Sequence, residues 1–349
     1  MSNRSLPPEI LGLIIENIAP SDACIAFPAS HVVTRTLHAC LTVSKTISWV
    51  AQRQIQSRCL YINSPWRLDG LLRALKGDTT HREPFAIPLS LKMKSSTSMY
   101  LSPFLGDTID DAGVVANIKT LFAFLSNSLQ RLVINMPLRN MSPEDPSAPK
   151  IQPALRDAFA QLRNLDQFVS VQDELYLDSS SLSNHPAEPQ VWASWPRLKH
   201  LGLYNVDIRS QSVREGLRAL PGLETLVLTR PHGLVDEELT LTMSCLNASA
   251  KVIIINTPEG HRNGVFGQKA PSMIDSQGKA RCEPSHHVHD FGRLHRLDVP
   301  KERSTRWTWG FRQRKRFDDV TTCQHWMERK ALDGTLWEYG DGEPRRACK

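Results

Sequence analysis

The sequence predicts an α/β protein with a small helical module at the N-terminus and, behind it, an irregular stack of strand–helix units sharing a parallel sheet. Three observations predict it. Apolar residues recur at helical spacing between Pro7 and Ile55. From about residue 85, short strands with leucines at alternate positions recur. Helical stretches fit between those strands, and strand–helix alternation favours parallel pairing with right-handed crossovers.

The front helix starts at Leu6-Pro7-Pro8-Glu9. Proline lacks an N–H and holds φ near the helical value, so it suits a first turn. Glu9 places negative charge where the helix dipole favours it. Ile10, Leu11, Ile14, Ile15 and Ile18 follow as one apolar stripe, and Pro20 ends the element. Residues 21–36 read as a loop. A second helical stretch carries Leu37, Cys40, Leu41, Val43, Ser44, Ile47, Val50 and Ala51 and continues through Gln54-Ile55. Two such stripes hold a small bundle only marginally, which predicts a partner or a neighbouring domain.

The strand units start at Leu129, Leu165, Leu198 and Leu223, at intervals of 36, 33 and 25 residues. Regular leucine-rich repeats recur every ~20–29 residues, so this array is leucine-rich-repeat-like but irregular. Runs at 252–255 and 294–299 extend it. One such unit cannot bury its leucine face alone; stacked neighbours share a continuous core. Helices are predicted at 153–162 and 213–220, the latter stopped by Pro221-Gly222. The predicted organisation is residues 1–62 as helical module, 63–255 as repeat-like domain, 256–290 as a polar, mobile insertion, and 291–349 as a last strand, a basic and aromatic segment and a cap built on Trp326, Met327, Leu332, Leu336 and Trp337.

The motif residues Leu6, Pro7, Glu9, Ile10 and Leu11, then Leu41, Val43, Ser44 and Lys45, resemble the F-box, a three-helix module. The resemblance spans roughly residues 5–60. Segments such as LQRLVINMPLR, WPRLKHLGLYNVD and LPGLETLVLTR are similar to those of fungal F-box proteins with leucine-rich-repeat-like bodies. The resemblance implies a substrate-recognition subunit of a Skp–cullin–F-box ubiquitin ligase, intracellular and without catalytic residues of its own. It would bind the Skp adaptor protein, and through it a cullin, using Leu6, Pro7, Pro8, Ile10, Leu11, Leu41 and Val43. The body would hold a target protein. Ligands of open parallel sheets favour the C-terminal strand ends, which makes Asp173, Glu174, Tyr176, Tyr204, Asn205, Asp207, Arg230 and His232 the candidate target-binding residues. A non-ligase interaction scaffold of the same fold is the first alternative.

Composition excludes several other classes. No apolar run approaches the ~20 residues of a membrane span, and a cytoplasmic or nuclear protein is expected. Seven cysteines, none spaced Cys-x-x-Cys, argue against a disulfide framework or zinc ribbon. Cys282, His286, His287, His289, Asp290 and His295 are metal-ligating types, but their spacing fits no standard finger and the flanks read as loop. No phosphate loop, nucleophile elbow or His-Glu-x-x-His motif occurs, so no cofactor or catalytic site is expected. The net charge of +6 is local: nine basic and two acidic residues lie between 293 and 316. Arg312, Arg314, Lys315 and Arg316 stand among Trp307, Trp309, Phe311 and Phe317. Interleaved cations and aromatics fit nucleic acid as a second alternative, or aromatics packed on the end of the stack with cations reaching solvent.

Overall fold

The computed structural model describes residues 6–18, 24–58, 60–76, 97–106, 109, 111–138, 148–175, 177, 188–257, 293–299, 303–308, 311–316 and 319–339. Three helices open the chain: α1 (Pro8–Glu16), α2 (Val32–Cys40) and α3 (Lys45–Arg58). Strands and helices then alternate: β1 (Tyr61–Ile62), α4 (Pro65–Lys76), β2 (Ser98–Leu101), α5 (Ala112–Leu125), β3 (Arg131–Ile134), α6 (Ala148–Ala160), β4 (Gln167–Ser170), a 3-10 turn (Val191–Ser194), β5 (His200–Tyr204), α7 (Gln211–Arg218), β6 (Thr225–Thr229), α8 (Asp236–Ser244), β7 (Lys251–Asn256) and β8 (Leu294–Asp298). A hairpin of β9 (Arg303–Thr308) and β10 (Phe311–Arg316) precedes α9 (Asp319–Leu332).

The expected parallel sheet is present. Its eight strands lie in the order β1 to β8, each parallel to its chain neighbour. The leucine pattern sets the register: Leu132, Phe168, Leu201 and Leu226 align across β3–β6, continuing to Val252 and Leu294. The strands begin two residues after the leucines at 129, 165, 198 and 223. β1 and β2 were not legible as strands, because Cys59 and Ser96 stand two residues ahead of them where the other units have leucine. The sheet therefore starts at Tyr61.

Period-two alternation splits each strand between two cores. Met99, Leu101, Leu132, Ile134, Phe168, Leu201, Leu203, Leu226, Leu228, Val252 and Ile254 face α4–α8. At the centre of that layer Phe159 contacts Phe122 (centroids 5.1 Å) and Phe168 (6.3 Å), and Phe168 meets Trp195 at 4.8 Å. The buried Trp195 indole donates to the Phe159 carbonyl at 3.0 Å, so no polar group is orphaned by its burial.

Tyr100, Val133, Val169, Val171, Tyr204, Val227, Ile253 and Ile255 face the opposite way. This face is covered by Cys323, Trp326, Met327 and Ala331 of α9 and by Leu336. The C-terminal cap expected over the last strand thus lies across the sheet instead. The reason is in the strands: a parallel sheet apolar on both faces needs cover on both. Tyr204 Oη donates to the Val320 carbonyl at 3.1 Å, and eight residues on, Glu328 accepts from Asn135 Nδ2 at 3.1 Å and from Tyr100 Oη. Eight helical residues advance ~12 Å, close to the ~14 Å of three strand spacings between β5 and β2. The helix therefore runs across the strands. Gly202 permits its approach: a Cβ there would sit 3.2 Å from Met327 Cε.

The second helical stretch is two helices and not one, and the expected 21–36 loop ends earlier, where α2 begins. Ser44 makes the break by accepting from the Ile47 amide at 3.3 Å as the cap of α3. His31 caps α2 through Nδ1 on the Val33 amide and stacks on Phe27 at 4.7 Å. A third core joins α1–α3: Ile15, Cys24, Phe27, Val33, Leu37, Val50 and Ala51.

Candidate functional site

Two surfaces carry the residues singled out by the sequence. The first is α1. Pro7 caps it, its carbonyl accepting from the amides of Ile10 and Leu11 at 3.1 and 3.2 Å. The apolar stripe does not bury as one unit. Ile15 and Ile18 pack into the three-helix core. On the far side Ile10, Leu13 and Ile14 are 42%, 54% and 51% exposed, and Leu6, just before the helix, is 54% exposed. Pro7 is also exposed and Leu11 is half-buried. Leu41 packs against the core, whereas Val43 is 65% exposed. The Pro8 side chain lies outside the described residues. Leu13 was missed, because the stripe was counted from Ile10 in steps that skip it. A helix apolar nearly all round is the signal that finds it.

The second surface is the row of strand ends. Asn205 and Arg230 each stand just past a strand with left-handed backbone, φ 60° and 50°. Their amides donate to the Thr229 and Ile255 carbonyls, both at 2.8 Å. These ladder bonds offset a backbone cost of order 1–3 kcal/mol at each non-glycine residue. Asn205 Oδ1 lies 2.6 Å from His232 Nε2. Asp207 is bridged to His232 through the backbone and holds Arg209 by two side-chain contacts, 3.0 Å to Nε and 2.9 Å to Nη2. The Arg209 guanidinium lowers the Asp207 carboxyl below its ordinary value.

Other predicted target-binding residues are inside. Asp173 and Glu174 are buried, and Asp173 accepts from the Leu175 amide at 2.8 Å, fixing a turn in which Leu175 has φ 60°. Tyr204 is buried and anchors α9. Tyr176 lies outside the described residues. The sheet register adds two residues the sequence reading missed. Trp66 and Leu105 each stand four positions past the paired Ile62 and Leu101, as Asp207 and His232 stand four past the paired Leu203 and Leu228. Both are largely exposed, and the Arg67 guanidinium lies 5.0 Å from the Trp66 ring centre. Trp66, in the first turn of α4, and Leu105, past β2, are thus exposed apolar residues following the first two strands.

Of the metal-type cluster, residues 282–290 lie outside the described residues, and His295 is on β8. Among the described residues no group of three His, Cys, Asp or Glu side chains is placed to hold a metal ion, and no helix is long and apolar enough to cross a membrane. Cys40, Cys245 and Cys323 are in no disulfide; burial pushes Cys323 up to about 11, away from nucleophilic use. In the basic segment, Arg312 pairs with Trp307 and Arg314 with Thr305 in the β9–β10 hairpin. No protein-family model matches the chain, and no curated protein matches its sequence.

Proposed function

We propose that this protein is the substrate-recognition subunit of a Skp–cullin–F-box ubiquitin ligase. In this reading α1–α3 are an F-box-like module that docks on the Skp adaptor. The sheet and its helices are an irregular leucine-rich-repeat-like solenoid that holds a target protein. The chain contributes no catalytic group; it raises the local concentration of target at the ubiquitin-transfer machinery. In this reading Asn205, Asp207, Arg209 and His232 past the ends of the strands, with the exposed Trp66 and Leu105, meet the target.

The observation that carries the reading is the exposed side of α1. Leu6, Ile10, Leu13 and Ile14 stand in solvent while the other side of the helix is anchored in its own core. Burying four such side chains yields about 6–12 kcal/mol gross, within the ~4–15 kcal/mol range of what association costs. A partner must therefore add contacts elsewhere, and Val43 is one available. The test is capture of the purified Skp adaptor by the full-length protein. The wild type is expected to bring it down. Ile10→Asp combined with Ile14→Asp should weaken capture more than tenfold and leave the thermal midpoint within about 2 °C, because both positions are exposed. A wild-type chain that captures no adaptor ends the ligase reading.

A further inference from the structure

Four consecutive residues between α1 and α2 are divided between two cores. Cys24 and Phe27 pack in the three-helix core, with Val33, Leu37, Val50 and Ala51. Ile25 and Ala26, fully and nearly fully buried, pack in the other, between the sheet and α9. The backbone follows the same division. The Ile25 amide donates to the Leu332 carbonyl in the last turn of α9 at 2.9 Å, and Cys24 Sγ lies 3.7 Å from the Asp333 carbonyl. From the module side, Thr34 Oγ1 donates to the Phe27 carbonyl at 3.4 Å.

α9 closes this joint from above. Its last turn holds Ile25, and its middle is fixed to β2 and β3 through Glu328. Its start is fixed by the Val320 carbonyl on Tyr204 and by Asp319 Oδ2, which accepts from Thr257 Oγ1 at 3.0 Å. If α9 lifts, Ile25 loses both its amide acceptor and its apolar cover. Cys24 directly before it and Phe27 two residues after it are in the module core, so the module cannot stay indifferent.

We propose that residues 24–27 and α9 form a coupling element, by which order in the helical module and seating of α9 on the sheet stabilise each other. A ligand that steadies α1–α3 then tightens α9, and displacement of α9 loosens the module by the same free energy, because linkage is reciprocal. The inference does not depend on which partner α1 takes.

The experiment is amide hydrogen exchange on the full-length protein and two mild variants. Glu328→Ala removes the acceptor of Tyr100 and Asn135 and alters no residue of 24–51. It is expected to speed exchange in α9 and, by about fivefold or more, in residues 33–51, while β5 and β6 keep their protection. Ile25→Ala is the converse and should speed exchange in residues 326–336. Faster α9 exchange with residues 33–51 unchanged in Glu328→Ala overturns the proposal. So does unchanged exchange of residues 326–336 in Ile25→Ala, whichever way the first variant behaves. Loss of protection in β5 and β6 as well, in both variants, shows global unfolding in place of local coupling and counts against it too.

Discussion

At the scale of single residues, two sites show how close packing decides an outcome. Gly216 in α7 has no side chain because Trp192 occupies the space: a Cβ would lie 2.6 Å from Cη2 and 2.8 Å from Cζ3. Alanine in a helix interior is favoured over glycine by ~1 kcal/mol, but overpacking a rigid core costs ~1–3 kcal/mol. Trp192 is fully buried and has nowhere to move. Gly216→Ala should therefore destabilise by up to about 2 kcal/mol in chemical denaturation, against the propensity scale. The second site is His200, on the face of β5 turned toward α9, its ring 5.2 Å from that of Trp337. Burial lowers its imidazole below the ordinary value, Glu224 opposes that, and Lys199 and Lys251 add to it. The unfolded chain thus binds a proton, at a pH near 6.5, that the folded protein refuses. This penalty is absent above that pH and grows as pH falls toward the folded value. Thermal midpoints should drop between pH 6.5 and 5.5 in the wild type and drop less in His200→Gln.

At the scale of elements, what could be read depended on how far each apolar pattern reached. The strands β3–β6 were legible because Leu129, Leu165, Leu198 and Leu223 each sit two residues ahead of a strand and repeat the same spacing. The placement of α9 was not, because Cys323, Trp326, Met327 and Ala331 read as any amphipathic helix. The evidence for its site lies in other strands: Val133, Val169, Val227, Ile253 and Ile255 make the second face apolar. A pattern read one element at a time cannot match a helix to a surface assembled from four separate strands. The candidate docking residues divided in the same way. α1 was found from Pro7 and its stripe, but which isoleucines are buried depends on α2 and α3. Asp173 and Glu174 were placed among the target-binding candidates at the strand ends, where acids are mostly exposed, yet a local turn draws them inside.

For the whole molecule, α9 is required cover. Those five second-face residues, fully exposed, would forfeit roughly 7–15 kcal/mol at ~1.5–3 kcal/mol each, as much as the entire stability of a typical domain. A chain ending at Asp318 is expected to self-associate, seen as oligomer or aggregate by size exclusion with light scattering. A monomer with native circular dichroism would contradict the role given to α9.

Strand order along the sheet repeats strand order along the chain. Every connection from β1 to β8 therefore joins immediate neighbours in the sheet. Adding residues between Thr257 and Arg293, or between any other adjacent pair, lengthens one crossover and leaves all remaining pairings untouched. Such an architecture lets evolution, or an engineer, rewrite the linkers one by one, without renegotiating the interior.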